Sequence, residues 1–335
     1  MANLSNGRTD SLVDWEVYCP IGPQLAFHVG CVMGDFFYVH GGITDLNCSV
    51  PSSKLFRLDM NTMIWNEVKV QDSPALSHHA CIPLDNRYMM MIGGWNGKSR
   101  TSKVVIYDTE GQQWLYPTVK GFPDDAGLTS HTASLLSDGN ILVIGREGSL
   151  RMNAQPGKEY TSSVYLLSGS IDKKEFVYQK YSHATESRSG HTTSFIGSNL
   201  YILGGRSDDL IEVHKGYKSA HPKNQTTAKD LISLTKLLQP LEKMPKGRRH
   251  HIALEGPSLI LIHGGETFGS QNPDPVGEMF MMTNKPCLNF YKLGKSQVCR
   301  RGHICCVSHD KVFLHGGIGE RHIIHGDTRE LKIKK

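Results

Sequence analysis

An all-β propeller, a ring of six four-stranded blades, is the fold the sequence predicts, and three observations predict it. A histidine followed 13 or 14 residues later by a glycine recurs six times along the 335 residues. Each recurrence contains an apolar run that ends at that glycine, with alternating and aromatic segments between runs. Glycine supplies 34 residues, and these recur at regular places rather than pooling in one tract. That is above the usual share of about 7% and reads as β turns.

The six stretches run from His28 to Gly41-Gly42, His79 to Gly93-Gly94, His131 to Gly145-Arg146, His191 to Gly204-Gly205, His251 to Gly264-Gly265 and His303 to Gly316-Gly317. Successive first glycines are 52, 52, 59, 60 and 52 residues apart. A first strand follows each histidine, as in His191 to Phe195, and a turn such as Gly197-Ser198-Asn199 leads into the second. The second runs are Phe36 to His40, Tyr88 to Ile92, Ile141 to Ile144, Leu200 to Leu203, Leu259 to His263 and Lys311 to His315. They are nearly continuously hydrophobic, as a strand buried on both faces requires. A third, alternating strand follows in Lys54 to Asp59, Lys103 to Asp108, Ser163 to Leu167 and Glu278 to Met282. A fourth holds an aromatic residue: Trp65, Trp114, Phe176 or Tyr178, and Phe290 or Tyr291. Four antiparallel strands in about 50 residues describe a propeller blade.

The sixth unit supplies its first two strands and then only Thr328 to Ile333. Its missing aromatic strand is Asp14 to Tyr18, with Trp15, at the other end of the chain. Pairing the two ends in blade six removes a free sheet edge. Residues 1–13 then read as a disordered tail and 14–335 as a single propeller. Blade three departs from the pattern at Arg146, so that turn must accept a side chain or change shape. Blade four carries an insertion over 207–245. Within it, Thr227 and Asp230 resemble a capping box, and Leu231, Leu234, Leu237 and Leu238 recur at helical spacing before Pro240. A short amphipathic helix against the outside of blade four is expected, covering the edge left by a missing strand or docking a partner.

These features resemble the kelch family over nearly the whole chain. The glycine pairs carry the resemblance, with Tyr107-Asp108 and Trp114 in unit two and Arg188-Ser189-Gly190-His191 before unit four. Ser130-His131-Thr132, Gly145-Arg146-Glu147-Gly148, Gly93-Gly94-Trp95 and Gly264-Gly265-Glu266-Thr267 point to its solitary-propeller members. The resemblance implies an interaction module that binds a protein segment. A ubiquitin-ligase substrate receptor is the alternative, although no adaptor box is seen. A propeller enzyme, such as a copper radical oxidase, would need a cysteine–tyrosine pair and histidine ligands that cannot be assigned here. No enzyme activity and no cofactor are expected.

Composition narrows the classes further. No apolar run is long enough to span a membrane, and residues 1–14 lack a signal-peptide core. The eight cysteines form no C-x-x-C pair, and reduced thiols in the cytoplasm or nucleus are expected. A formal charge of +5 is too small and scattered to point to nucleic acid. Among 17 histidines, six are the repeat positions, and none has zinc-site spacing, so no metal is expected. A monomer is expected.

Three residues before each repeat histidine stand Leu25, Leu76, Leu128, Arg188, Arg248 and Arg300. In kelch propellers that bind peptides, arginines at this place line the channel rim and grip acidic groups. By that resemblance, Arg188, Arg248 and Arg300 form a cationic half and the three leucines an apolar half. The residues after the glycine pairs share the rim: Ile43, Trp95, Glu147, Arg206, Glu266 and Ile318. Guanidiniums hold carboxylates bidentately, so a peptide with acidic groups or a free C-terminal carboxylate is expected. The competing reading has the arginines capping neighbouring blades and the leucines packing there.

Overall fold

The computed structural model describes residues 11–149, 162–181, 188–206, 211–220, 226–268 and 274–334. Six blades surround an axis. Their innermost strands, Val29–Met33, Ala80–Leu84, Thr132–Leu135, Thr192–Ile196, Ile252–Glu255 and Ile304–Ser308, each begin just after a repeat histidine and contact one another around the ring. Blade one shows the full pattern: Val29–Met33, Phe36–His40, Leu55–Asp59 and Ile64–Val68 pair antiparallel in that order. The second strand is the most buried, and Leu259–His263 of blade five is buried at every residue. Such strands carry no outward polar alternation because sheets cover both faces.

No single core fills the centre. The buried apolar residues form six clusters, one at each seam between neighbouring blades. Phe37 and Leu58 of blade one meet Phe313 of blade six, and Tyr201 of blade four meets Phe280 of blade five. Each blade is therefore stable only against two neighbours, which makes closure of the ring an energetic requirement.

Closure comes from the strand Val13–Cys19, paired antiparallel with Thr328–Ile333 in the register Trp15↔Leu331. Trp15 is buried in the seam between blades five and six with Leu314 and Leu331. Ser11 and Leu12, which the sequence assigns to the tail, are part of the fold. Ser11 is buried and the Leu12 N–H donates to the Leu293 carbonyl at 2.9 Å. Residues 1–10 lie outside the described residues.

Blades three and four depart from the repeat. In blade three the strand Ile141–Ser149 runs straight through Gly145 and Arg146, pairing with Ser162–Ser170. The equivalent first glycines of the other five blades have φ between 65° and 73°, and Gly145 is not among the left-handed residues. The strand Tyr88–Trp95 of blade two also runs through its glycine pair, but with both glycines left-handed and a register shift beside them. A segment unforeseen from the sequence, Thr118–Lys120, adds a parallel fifth strand outside Glu175–Lys180. Blade four has three strands among the described residues, Thr192–Ile196, Asn199–Leu203 and Ile211–Lys215.

The expected helix is Thr226–Leu234, but it does not sit on blade four. Leu231 and Leu234 are buried in the seam of blades five and six, beside Leu259 and Met281. The chain that follows is tied to blade five by the Leu241 N–H on the Phe290 carbonyl at 2.7 Å. That tether carries the helix beyond its own blade. Among the described residues no helix is long and apolar enough to cross a membrane.

Candidate functional site at the channel mouth

The inner strands enclose an axial cavity of about 380 Å³ whose wall includes Gly30, Cys81, Ala133, Thr193, Ala253 and Cys305. At one end the residue before each repeat histidine closes a collar of backbone hydrogen bonds. His78 donates to Phe27 at 2.9 Å, Ser130 to His78 at 2.9 Å and Gly190 to Ser130 at 2.8 Å. His250 donates to Gly190 at 2.7 Å, Gly302 to His250 at 3.0 Å and Phe27 to Gly302 at 2.8 Å. All six residues have φ between 50° and 71°, the left-handed conformation that aims N–H and C=O along the ring. A side chain in that conformation costs about 1 kcal/mol, so the collar concentrates strain where the blades converge.

Three rings cap the collar. Phe27 stacks on His78 at 4.1 Å between centroids and meets His250 edge-on at 4.9 Å. Glycine makes room for them: a Cβ on Gly302 would lie 2.7 Å from the Phe27 ring, and one on Gly190 2.6 Å from the His250 ring. Gly302→Ala is therefore expected to destabilise by about 2 kcal/mol or more, through both clash and φ. Gly34→Ala has the same φ problem but open space around it, and is expected to cost about 1 kcal/mol. Thermal unfolding of the two variants checks this, and equal losses would show that the cap does not hold.

The six positions three residues before the histidines lie inside the fold. Arg188, Arg248 and Arg300 are 4%, 0% and 2% exposed, and Leu25, Leu76 and Leu128 are equally buried. Each arginine Nη1 donates to the carbonyl of its own blade's first glycine: Arg188 to Gly204 at 2.7 Å, Arg248 to Gly264 at 3.0 Å, and Arg300 to Gly316 at 3.0 Å. The backbone at this position joins blades whatever the side chain. The Leu76, Arg248, Arg300 and Leu25 carbonyls accept the second-glycine N–H of the preceding blade, from Gly42, Gly205, Gly265 and Gly317 at 2.7–2.8 Å. Leucine suits this place by packing and arginine by capping a carbonyl, so the structure places these six side chains in the scaffold beneath the rim.

The surface arginines are one residue further on. Arg249 and Arg301 stand two before their histidines, with side chains 43% and 17% exposed. They converge on Glu266, which is 2% exposed and follows the glycine pair of blade five. Arg249 Nε donates to Glu266 Oε1 at 2.7 Å, His250 Nδ1 lies 3.2 Å from the same oxygen, and Arg301 Nη1 donates to Oε2. Burial would raise this carboxyl, but the bonds from His250 and Arg301 overcome it and pull it down to about 2. Two guanidiniums share one carboxylate, which leaves the sector positive.

The other rim residues divide. Trp95 is half-buried and its Nε1–H donates to the Ser49 carbonyl at 2.9 Å, clasping the blade-one loop. Ile43 and Arg206 are half-buried at the corresponding places of blades one and four. Ile318 is buried, bridged to Arg301 and Ile324, and the Glu147 side chain lies outside the described residues. Apolar exposure comes from the loops that follow these positions, at Leu46, Val50 and Ile323, with Phe268 beneath the Arg249 guanidinium. Sequence spacing alone gave no signal for this arrangement, because the place two before the histidine is buried at Ala26 and Ser77 and partly exposed at Thr129, Ser189, Arg249 and Arg301.

The repeat histidines act between blades. His191 Nε2 lies 3.2 Å from Thr132 Oγ1 and His251 Nε2 3.0 Å from Thr192 Oγ1, each in the preceding blade. His263 Nε2–H donates to the Val298 carbonyl, which leaves its Nδ1 to accept from His303 Nε2–H at 3.2 Å. Burial holds all of them neutral: His191 and His263 are pushed to about 3, His131 to about 4, and His303 well below its ordinary value. Among the described residues no cluster of histidine, cysteine and carboxylate is arranged to hold a metal ion.

Comparison with known proteins agrees with this geometry. A family model described as the KLHDC2/KLHL20/DRC7 Kelch-repeats domain matches residues 6–205. Human Kelch domain-containing protein 9 is 30% identical over 314 residues, covering 88% of this chain and 88% of that protein. Human Kelch domain-containing protein 3 is 23% identical over 333 residues, 91% of this chain and 81% of that one. The solved structure of YjhT, at 13% identity, shares the fold with a TM-score of 0.65 over 92% of this chain and 95% of its own. A matched family model over more than half the chain, and the same blade geometry in the remainder, make this chain a member of the kelch-repeat family.

Proposed function

We propose that this propeller is a non-catalytic interaction module that binds a peptide segment, acidic or ending in a free carboxylate, across the channel mouth. Kelch propellers generally bind protein partners. The observation that carries the reading here is the pair Arg249 and Arg301, partly exposed and sharing the single carboxylate of Glu266. Exposed apolar side chains stand in the loops of other blades at this mouth, Leu46 and Val50 in blade one and Ile323 in blade six, which suits a segment that joins an acidic group to an apolar one. Arg188, Arg248 and Arg300 support the rim from below in this reading, and Arg206 and Trp95 border it.

The test is affinity capture with wild type and the double variant Arg249→Glu, Arg301→Glu, alongside thermal unfolding to verify the fold. Recovery of specific partners is expected to drop at least about tenfold, since a truncated or reversed interfacial charge costs about 2 kcal/mol or more. Unchanged recovery by a folded double variant would place the partner elsewhere on the molecule.

A further inference from the structure

We propose that Cys31 and Cys81 form a peroxide-dependent disulfide that staples blade one to blade two. The two cysteines lie on neighbouring inner strands, Val29–Met33 and Ala80–Leu84, and share one seam cluster with Tyr38, Met91 and Tyr107. Both side chains belong to that one seam, where the neighbouring Cys31 thiol raises the Cys81 thiol. Cys31 is buried, whereas Cys81 is partly exposed and lines the axial cavity. That cavity extends from the repeat histidines to Ser219 and Glu255 at the end away from the collar, and its 380 Å³ admits a hydroperoxide. Both cysteines are reduced in this structure.

The chemistry balances with a hydroperoxide as the oxidant. With hydrogen peroxide, Cys81 Sγ attacks the O–O bond and gives up its thiol proton, so that Cys81 becomes a sulfenic acid and the displaced oxygen leaves as water. Cys31 Sγ then displaces the hydroxyl from the Cys81 sulfur to form the S–S bond, and the hydroxyl leaves with the Cys31 proton as a second water. Contact with Cys31 and burial push the Cys81 thiol well above its ordinary range, so little thiolate is present and the first step is slow. The second step is intramolecular and needs no diffusion. A neutral disulfide also suits this apolar seam better than any charged product of oxidation. The cross-link would lie in the seam that Trp95 clasps through Ser49, joining the apolar part of the mouth to its neighbour.

Full-length protein is incubated with hydrogen peroxide, alkylated under denaturing conditions, digested and read by mass spectrometry. A linked peptide pair containing Cys31 and Cys81 is expected, two hydrogens lighter than its parts and absent after reduction. The oxidised protein is expected to melt several degrees higher, as closure of a roughly 50-residue loop requires. In Cys31→Ser, which keeps the site's size, Cys81 is expected to stop at the sulfenic or sulfinic acid, with no rise in melting temperature. Cys31 that stays fully alkylatable while exposed Cys48 and Cys287 oxidise would overturn the proposal, as would a link from Cys81 to any other cysteine.

Discussion

Lowering the pH from about 7.5 to about 5.5 is expected to unfold this propeller cooperatively, with protons taken up by several histidines at once. Among the described residues nine histidines are buried: His28, His40, His79, His131, His191, His251, His263, His303 and His315. Burial drives every one of them down, with His40 and His315 at about 3 and His79 well below its ordinary value. The unfolded chain protonates these side chains at about 6.5 while the folded chain does not. Unfolding therefore takes up protons, and stability falls as the pH drops through about 6.5 toward about 4. At pH about 5.5 each histidine held neutral withdraws on the order of 1 kcal/mol, the cost of keeping a group with an unfolded pKa of about 6.5 uncharged about one unit below it. Nine together approach the whole stability of an ordinary domain, about 5–15 kcal/mol. Carboxylates cannot produce this loss. Glu266 is pulled down to about 2 and Asp327 is lowered, so their contributions are full above about 4 and are lost only as the pH falls from there. Urea unfolding at a series of pH values checks the expectation, and a midpoint that stays flat between about 7 and 5.5 would refute it.

The same histidines explain why the fold was legible. Five of the six repeat histidines, His28, His79, His131, His251 and His303, stand against the first glycine of the preceding blade: a Cβ on Gly41 would lie 3.0 Å from the His79 ring, and one on Gly204 2.8 Å from the His251 ring. A contact that recurs from seam to seam leaves the same two residue types at a regular spacing along the chain. Ring closure was legible for a related reason, because Trp15 supplies the aromatic strand that blade six lacks. The collar was not legible. Phe27, His78, Ser130, Gly190, His250 and Gly302 share no chemistry, only a left-handed backbone, and backbone conformation leaves no mark on four of these six side chains. The doublets Arg248-Arg249 and Arg300-Arg301 hid the rim for another reason. Either arginine could face out, and half a turn of strand pleat decides between a carbonyl cap and a surface charge. The helix lay in the sequence, but its destination did not, since the tether to Phe290 is a tertiary contact.

Arg248→Leu is expected to destabilise the protein by about 3 kcal/mol, whereas Arg249→Leu, one residue away, is expected to cost about 1 kcal/mol or less. Arg248 is fully buried, with Nη1 on the Gly264 carbonyl and Nη2 on Glu278 at 3.1 Å, and its guanidinium lies over Phe280 at 5.0 Å. Burial lowers its pKa and Glu278 pulls it back, so the charge is held by its partner inside the fold. Leucine occupies the same position in blades one to three, so the substitution supplies an apolar side chain the repeat already accepts. What it cannot supply is a donor for Gly264, and an orphaned buried carbonyl costs about 1–3 kcal/mol. Glu278 keeps Lys292 at 3.4 Å, which limits the loss below that of a charge left wholly unpaired. Arg249, by contrast, is 43% exposed, and Glu266 retains His250 and Arg301 when it is removed. The two variants should also separate in function: Arg249→Leu weakens partner capture in a protein of nearly normal stability, while Arg248→Leu lowers the melting temperature and leaves the mouth's charge intact. If both variants melt alike, the division between scaffold arginine and surface arginine is wrong.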